Sequence, residues 1–141
     1  MTKAPITDRA QVLQDYLANS PFAATLGIEC EVRGDEMTAI LPFKQENIGN
    51  TFLPALHGGA IGAFLEITAM AQVFLSSQVA KPPRPIDLTV DYLRSAGPKT
   101  LYGRAKIERM GRRMVNVKAE AWQDQRAKAV SVLHAHFLIG S

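Results

Sequence analysis

Glu66 is the only charged residue between Gly58 and Ala80, a stretch otherwise dominated by Ala, Ile, Leu, Val, Phe and Met. A carboxylate left charged in apolar surroundings costs several kcal/mol unless its pKa rises or a partner is present, and either condition suits a general base or a nucleophile. The competing reading is structural: a Glu turned to solvent, facing a subunit seam or paired with a buried Arg. Residue type alone leaves both open.

Directly before this stretch stands His57-Gly58-Gly59. If a helix starts there, the amides of Gly58 and Gly59 are among the first donors without intrahelical partners, at the positive end of the helix dipole. Each good donor of this kind stabilises a developing oxyanion by about 3 kcal/mol. Glycine also lets a substrate carbonyl approach the backbone closely. The plain alternative is that the glycines merely let a loop turn into a helix.

Gly58 and Glu66 are eight residues apart, roughly 12 Å along a helix at about 1.5 Å per residue. One helix cannot bring both to the same carbonyl. Either they serve separate purposes, or a twofold partner sets its Glu66 opposite this Gly58. The second arrangement is expected, with the site shared across a homodimer interface.

The elements that must position these groups follow from periodicity. An apolar stretch over residues 58–80 reads as one long helix. A membrane span is the competing reading, but a central Glu66 with Gln72 nearby opposes insertion, so the helix is expected to be wrapped by protein. Lys81-Pro82-Pro83-Arg84-Pro85 ends it. Upstream, Thr7 is expected to cap a short amphipathic helix whose face carries Val12, Leu13, Tyr16 and Leu17, ended by Asn19-Ser20-Pro21. Ile28 to Val32 and Met37 to Leu41 flank Gly34-Asp35 as a hairpin. Residues 43–56 read as a long irregular loop.

Beyond the connector, Ile86, Leu88, Val90 and Tyr92 alternate with polar residues, as do Leu101 to Ile107, Val115 to Ala121, and a last strand over about 127–139. These are expected to be strands with one buried face. The sum is an α+β class: a curved antiparallel sheet of five to six strands around one long apolar helix, with a short N-terminal helix.

At 141 residues, 47% of them hydrophobic and 21% charged, the chain suits one domain over 1–141, without repeats or low-complexity tracts. The start, Met1-Thr-Lys-Ala-Pro, lacks the features of a signal peptide, and Cys30 is the only cysteine, so a cytoplasmic protein without disulfides is expected. The net charge of +3 conceals a basic third: residues 94–128 hold ten Lys/Arg against three Asp/Glu. That excess falls short of a nucleic-acid footprint but can recruit a phosphate-bearing small molecule. No nucleic-acid or membrane partner is expected.

Weaker candidates have plain readings. Cys30 sits in an alternating strand, where a small core residue is the ordinary outcome. His134 and His136 share a strand face, but no carboxylate is spaced in sequence to join them, so no metal site is expected. Trp122, on the polar side of its strand with Glu120 and Lys118, suits a partly covered surface.

The run Leu53-Pro-Ala-Leu-His57-Gly58-Gly59-Ala-Ile-Gly-Ala-Phe-Leu-Glu66 resembles the PaaI and 4-hydroxybenzoyl-CoA thioesterase-type hotdog proteins. Pro21-Phe-Ala-Ala-Thr-Leu-Gly27-Ile upstream and Asp87-Leu-Thr-Val-Asp-Tyr-Leu-Arg94 downstream extend the likeness over most of the chain. It implies an acyl-CoA thioesterase of hotdog fold, a dimer or dimer of dimers, with no cofactor. Glu66 would be nucleophile or general base, the Gly58 amide would polarise the thioester carbonyl, and His57 would shape the helix entrance. Gly59 would lie against the substrate. Many relatives place Asn or Gln six residues before the His; here Thr51 stands there, with Asn50 adjacent and Asn47 four earlier. Arg94, Arg112 and Arg113 are the candidates for the nucleotide part of CoA.

Two other functions share this frame. A hotdog dehydratase or hydratase pairs its acid with a histidine in the preceding loop or in a short Asp-to-His motif, and no His precedes His57 here. Hydration of crotonyl-CoA would reveal one. A non-catalytic acyl-CoA sensor would bind tightly without releasing free thiol.

Overall fold

The computed structural model describes residues 6–50, 55–77 and 81–140. Helices α1 (Ile6–Asn19) and α2 (Pro21–Leu26) lead into a hairpin of β1 (Glu29–Arg33) and β2 (Glu36–Leu41). A 3-10 turn (Gln45–Asn47) and two short strands, β3 (Ile48–Asn50) and β4 (Ala55–Leu56), bring the chain to the long helix α3 (Gly58–Ser76). Strands β5 (Arg84–Tyr92), β6 (Leu101–Met110), β7 (Met114–Trp122) and β8 (Ser131–Leu138) follow.

Six strands form one antiparallel sheet in the order β1-β2-β6-β7-β8-β5, and the expected α+β architecture of a sheet around one long apolar helix is present. Alternation decides which side chains meet the helix. Leu101, Val115, Val117, Ala119, Leu133 and Phe137 point inward and are fully buried against Phe64, Leu65 and Val73 of α3. α3 is long and apolar enough to cross a membrane, yet 67% of its apolar window is covered by protein.

Close approach of helix and sheet depends on Gly103 in β6. A Cβ there would stand 2.7 Å from Phe64 Cε2 and 3.1 Å from Thr68 Oγ1. Since tightly packed cores accept extra methyl groups poorly, Gly103→Ala is expected to lower stability by about 1–3 kcal/mol. A urea titration checks this through a lower midpoint at unchanged slope.

Several local expectations give way. Thr7 lies inside α1 rather than capping it, and Asn19-Ser20-Pro21 both ends α1 and starts α2. There Ser20 Oγ accepts from the Ala23 amide, Pro21 takes the first turn, and Gly27 closes the helix at φ +84°. On α1, Leu13 and Leu17 are buried, while Val12 and Tyr16 remain 43% and 41% exposed. α3 ends at Ser76, with Ser77 extended as its cap; residues 78–80 lie outside the described ones. The expected irregular loop 43–56 contains the 3-10 turn and the antiparallel β3–β4 pair. β8 begins at Ser131 rather than near 127, because residues 123–130 are spent on a turn that the Val130 amide closes on the Ala121 carbonyl.

The largest departure is β5. The sequence predicts one buried face, but Ile86, Leu88 and Tyr92 are all exposed. Among the described residues β5 pairs only with β8 and forms an edge of the sheet, so one side of it has no neighbouring strand. An edge strand nine residues long carries unpaired backbone donors and acceptors as well as this apolar row.

Candidate active site

His57 is the N-cap of α3, with extended backbone at φ −65° and ψ 131°. Its amide donates to the Asn47 carbonyl at 2.6 Å, and Gly49 packs so closely that a Cβ there would stand 2.9 Å from His57 Cα. The preceding loop therefore holds the helix entrance by backbone contacts. His57 Nδ1 accepts from the Gly59 amide at 2.9 Å, which requires that nitrogen to be unprotonated.

That bond corrects one expectation. The Gly59 amide is not a free donor, because the His57 ring caps it. The Gly58 amide, like that of Ala60 behind it, has no acceptor among the described residues, and it is the first donor at the helix mouth.

Tyr92, at the end of β5, is the residue that sequence reasoning missed. Its hydroxyl donates to the Gly58 carbonyl at 2.8 Å, and a Cβ on Gly62 would stand 3.1 Å from the same oxygen. The alternating pattern marked Tyr92 only as a core-facing strand residue. What brings it to Gly58 is the long-range pairing that places β5 at the sheet edge, for which no local signal exists.

Glu66 is partly exposed, not buried. With Gly59, Gly62, Ala63 and Ile67 it forms the one uncovered stripe of α3, and among the described residues it has no hydrogen-bond or ion-pair partner. It opens onto a cavity of about 220 Å³ whose other walls include Tyr16, Leu17 and Phe22 of the N-terminal helices and Pro83, Pro85 and Phe137. Tyr92 therefore marks the Gly58 end of β5, and Pro85 marks the Glu66 end.

The other expected site residues separate. Asn47 is buried and donates its side chain to the Leu26 carbonyl at 3.4 Å, tying the loop to α2. Asn50 pairs with Ala55 through the β3–β4 ladder, while Thr51 lies outside the described residues. Arg94 follows the end of β5 beside Lys99 and Lys128. Arg112 and Arg113 sit at the β6–β7 turn, by the opposite ends of the strands, so the three arginines do not converge within one protomer. Arg112 and Arg113 are joined instead by Lys81 and Arg84 around an open cavity of about 710 Å³ that has no carboxylate among its described lining residues.

Cys30 is buried in the core, and desolvation pushes its thiol up to about 11, so it is not a nucleophile at neutral pH. His136 is not without a carboxylate, as the sequence spacing suggested: Asp87 Oδ1 lies 2.9 Å from its Nδ1, across the β5–β8 pair. Trp122 is partly covered, stacked on Tyr102 at 6.1 Å between ring centroids with the Arg126 guanidinium over its ring.

The sequence matches the family model of the thioesterase superfamily over residues 53–130. A solved protein of Chromobacterium violaceum is 34% identical, with a TM-score of 0.76 over 96% of this chain and 95% of its own. A phenylacetic acid degradation-related protein of Ralstonia eutropha aligns with a TM-score of 0.79 at 23% identity, covering 93% of this chain and 98% of its own. A Bacillus halodurans protein solved with CoA aligns at 0.77 and 20% identity, covering 96% and 89%. At those lower identities the likeness is one of fold. No curated protein matches.

Proposed function

Because the chain belongs to the thioesterase superfamily, we propose that it hydrolyses acyl-CoA thioesters to a free acid and CoA in a site shared between two subunits. The observation that carries this reading is the placement of Gly58 and Glu66 at opposite ends of an uncovered edge strand. β5 runs antiparallel to α3, from Pro85 beside Glu66 to Tyr92 on Gly58. Two β5 edges paired antiparallel about a twofold axis lay one Tyr92 end beside the other Pro85 end. Each Gly58 then faces the Glu66 of the other subunit, and the exposed apolar row of β5 is covered.

In this arrangement the Gly58 amide holds the carbonyl oxygen of the thioester as negative charge develops on it. Tyr92, bonded to the Gly58 carbonyl, positions that peptide, and His57 keeps the Gly59 amide from competing for the oxyanion. Glu66 either attacks the carbonyl carbon or takes a proton from the attacking water. Both routes expel the CoA sulfur, which leaves as the thiol once protonated; direct attack leaves the acyl group on Glu66 as a mixed anhydride, which water then hydrolyses, so both end in the free acid and a restored carboxylate.

The same twofold operation carries the cavity of Lys81, Arg84, Arg112 and Arg113 towards the Gly58 end of the neighbouring subunit. Its cations suit the phosphates of CoA, which are the natural ligands for closely set Arg and Lys. The CoA bound to the Bacillus halodurans protein agrees with such a substrate.

A thiol-release assay over short, medium, long and aromatic acyl-CoAs tests the reading directly; no release from any of them ends it. Replacing Arg112 and Arg113 together by Ala is expected to raise KM for an acyl-CoA about tenfold, the value of roughly 1.4 kcal/mol of lost charged contact. The same acyl group on pantetheine, which lacks the nucleotide, should show no such rise.

A further inference from the structure

The cavity beside Glu66 does not end at the carboxylate. A second cavity of about 230 Å³, lined by Val12, Leu13, Tyr16, Met70, Phe74 and Pro82, abuts it, and Tyr16 and Met70 are walls of both. The two together follow the groove between α1 and α3 from Glu66 to Phe74. Their volumes add to about 450 Å³, within the range of about 300–1,000 Å³ common for small-molecule sites, which neither reaches alone.

Among its described lining residues the distal cavity is walled by apolar side chains, with the Tyr16 hydroxyl as their one polar side-chain group. Its far end is held in place by Arg9, which is buried, donates through Nε to the Phe74 carbonyl at 3.1 Å, and lies over the Phe74 ring at 4.2 Å. Arg9 thereby caps the last turn of α3 and pins α1 across it. A pocket with mostly apolar walls, bounded at one end by a fixed ring, suits a hydrocarbon tail.

We propose that this groove is the acyl-chain site, that it takes a linear medium-length chain, and that Tyr16 and Met70 divide it into a near and a far compartment. The inference rests on the thioesterase reading above, with Glu66 at the scissile carbonyl. From Glu66 to Phe74 is eight residues, about 12 Å of helix. An extended hydrocarbon advances roughly 1.3 Å per carbon, given carbon–carbon bonds of about 1.5 Å. A chain of about eight to ten carbons therefore spans the groove. A short acyl group fills only the near compartment, and a much longer one meets the Phe74 end.

Two substitutions at half-exposed positions of α1 probe the groove without disturbing the core. Val12→Trp fills the far compartment; the ratio of kcat/KM for decanoyl-CoA over butyryl-CoA is expected to fall at least tenfold. Tyr16→Ala removes the constriction; the ratio for dodecanoyl-CoA over octanoyl-CoA is expected to rise severalfold. Calorimetric binding of the non-hydrolysable thioethers decyl-CoA and butyl-CoA supplies a readout that does not require turnover. Decyl-CoA should bind the unaltered chain more tightly, with the advantage lost in Val12→Trp. Chain-length profiles unmoved by both substitutions, in a protein that hydrolyses butyryl-CoA, overturn the groove alone. Failure to hydrolyse any thioester overturns the thioesterase reading itself.

Discussion

Glu66→Gln is expected to slow CoA release by at least about 10³-fold while leaving the protein folded, the range set by loss of a positioned base or nucleophile. The amide keeps the shape of the side chain but neither takes a proton from water at neutral pH nor attacks a thioester. Glu66 is partly exposed and has no ion-pair partner among the described residues, so neutralising it strands no buried charge. The thermal midpoint should therefore stay close to that of the unaltered chain. Burst and steady-state thiol release, with calorimetric melting as the control, measure both. Hydrolysis within a few-fold of normal would remove Glu66 from the chemistry.

Gly58→Pro tests the other half of the site. Proline at the first position of a helix deletes the amide proton while keeping the helical φ, and it requires an extended residue before it. His57, at ψ 131°, already satisfies that requirement, and a Cβ on Gly58 would stand 3.6 Å from the Tyr92 ring, an ordinary contact. The expected loss in kcat is about 10²–10³-fold, that of one oxyanion donor.

Combining the two variants decides where the site lies. A heterodimer of a Glu66→Gln subunit with a Gly58→Pro subunit holds one site with both defects and one with neither, if the site is shared. Co-refolded from equal amounts, half the dimers are mixed and each has one good site of two, so about a quarter of normal activity returns. If Glu66 and Gly58 of the same chain cooperated, every site would carry a defect and the mixture would stay as inactive as its parts.

The origin of these features differs. His57-Gly58-Gly59, the apolar run behind it and the lone Glu66 were visible because helix starts and helix burial leave local marks in residue type. The alternating strands were visible for the same reason, apart from their ends, where turn residues and strand residues overlap, as at 123–130. α2 was overlooked because Ser20-Pro21 stops one helix and starts the next with the same residues. The role of Tyr92, the pairing of Asp87 with His136 and the separation of Arg94 from Arg112 and Arg113 depend on which strands lie side by side. Sequence distance carries no record of that.

By itself the sequence determined the architecture, a sheet around one long apolar helix, and named the carboxylate and the amide that this architecture presents. Period and composition suffice for that, since a helix apolar on nearly every side must be wrapped. Only the tertiary structure decided that Glu66 lies on an open stripe of α3 and that β5 is an edge strand running from beside Glu66 to Gly58. Those outcomes come from the crossover that sends β5 past β6 and β7 to pair with β8, a choice made by packing over the whole chain and not by any segment of it.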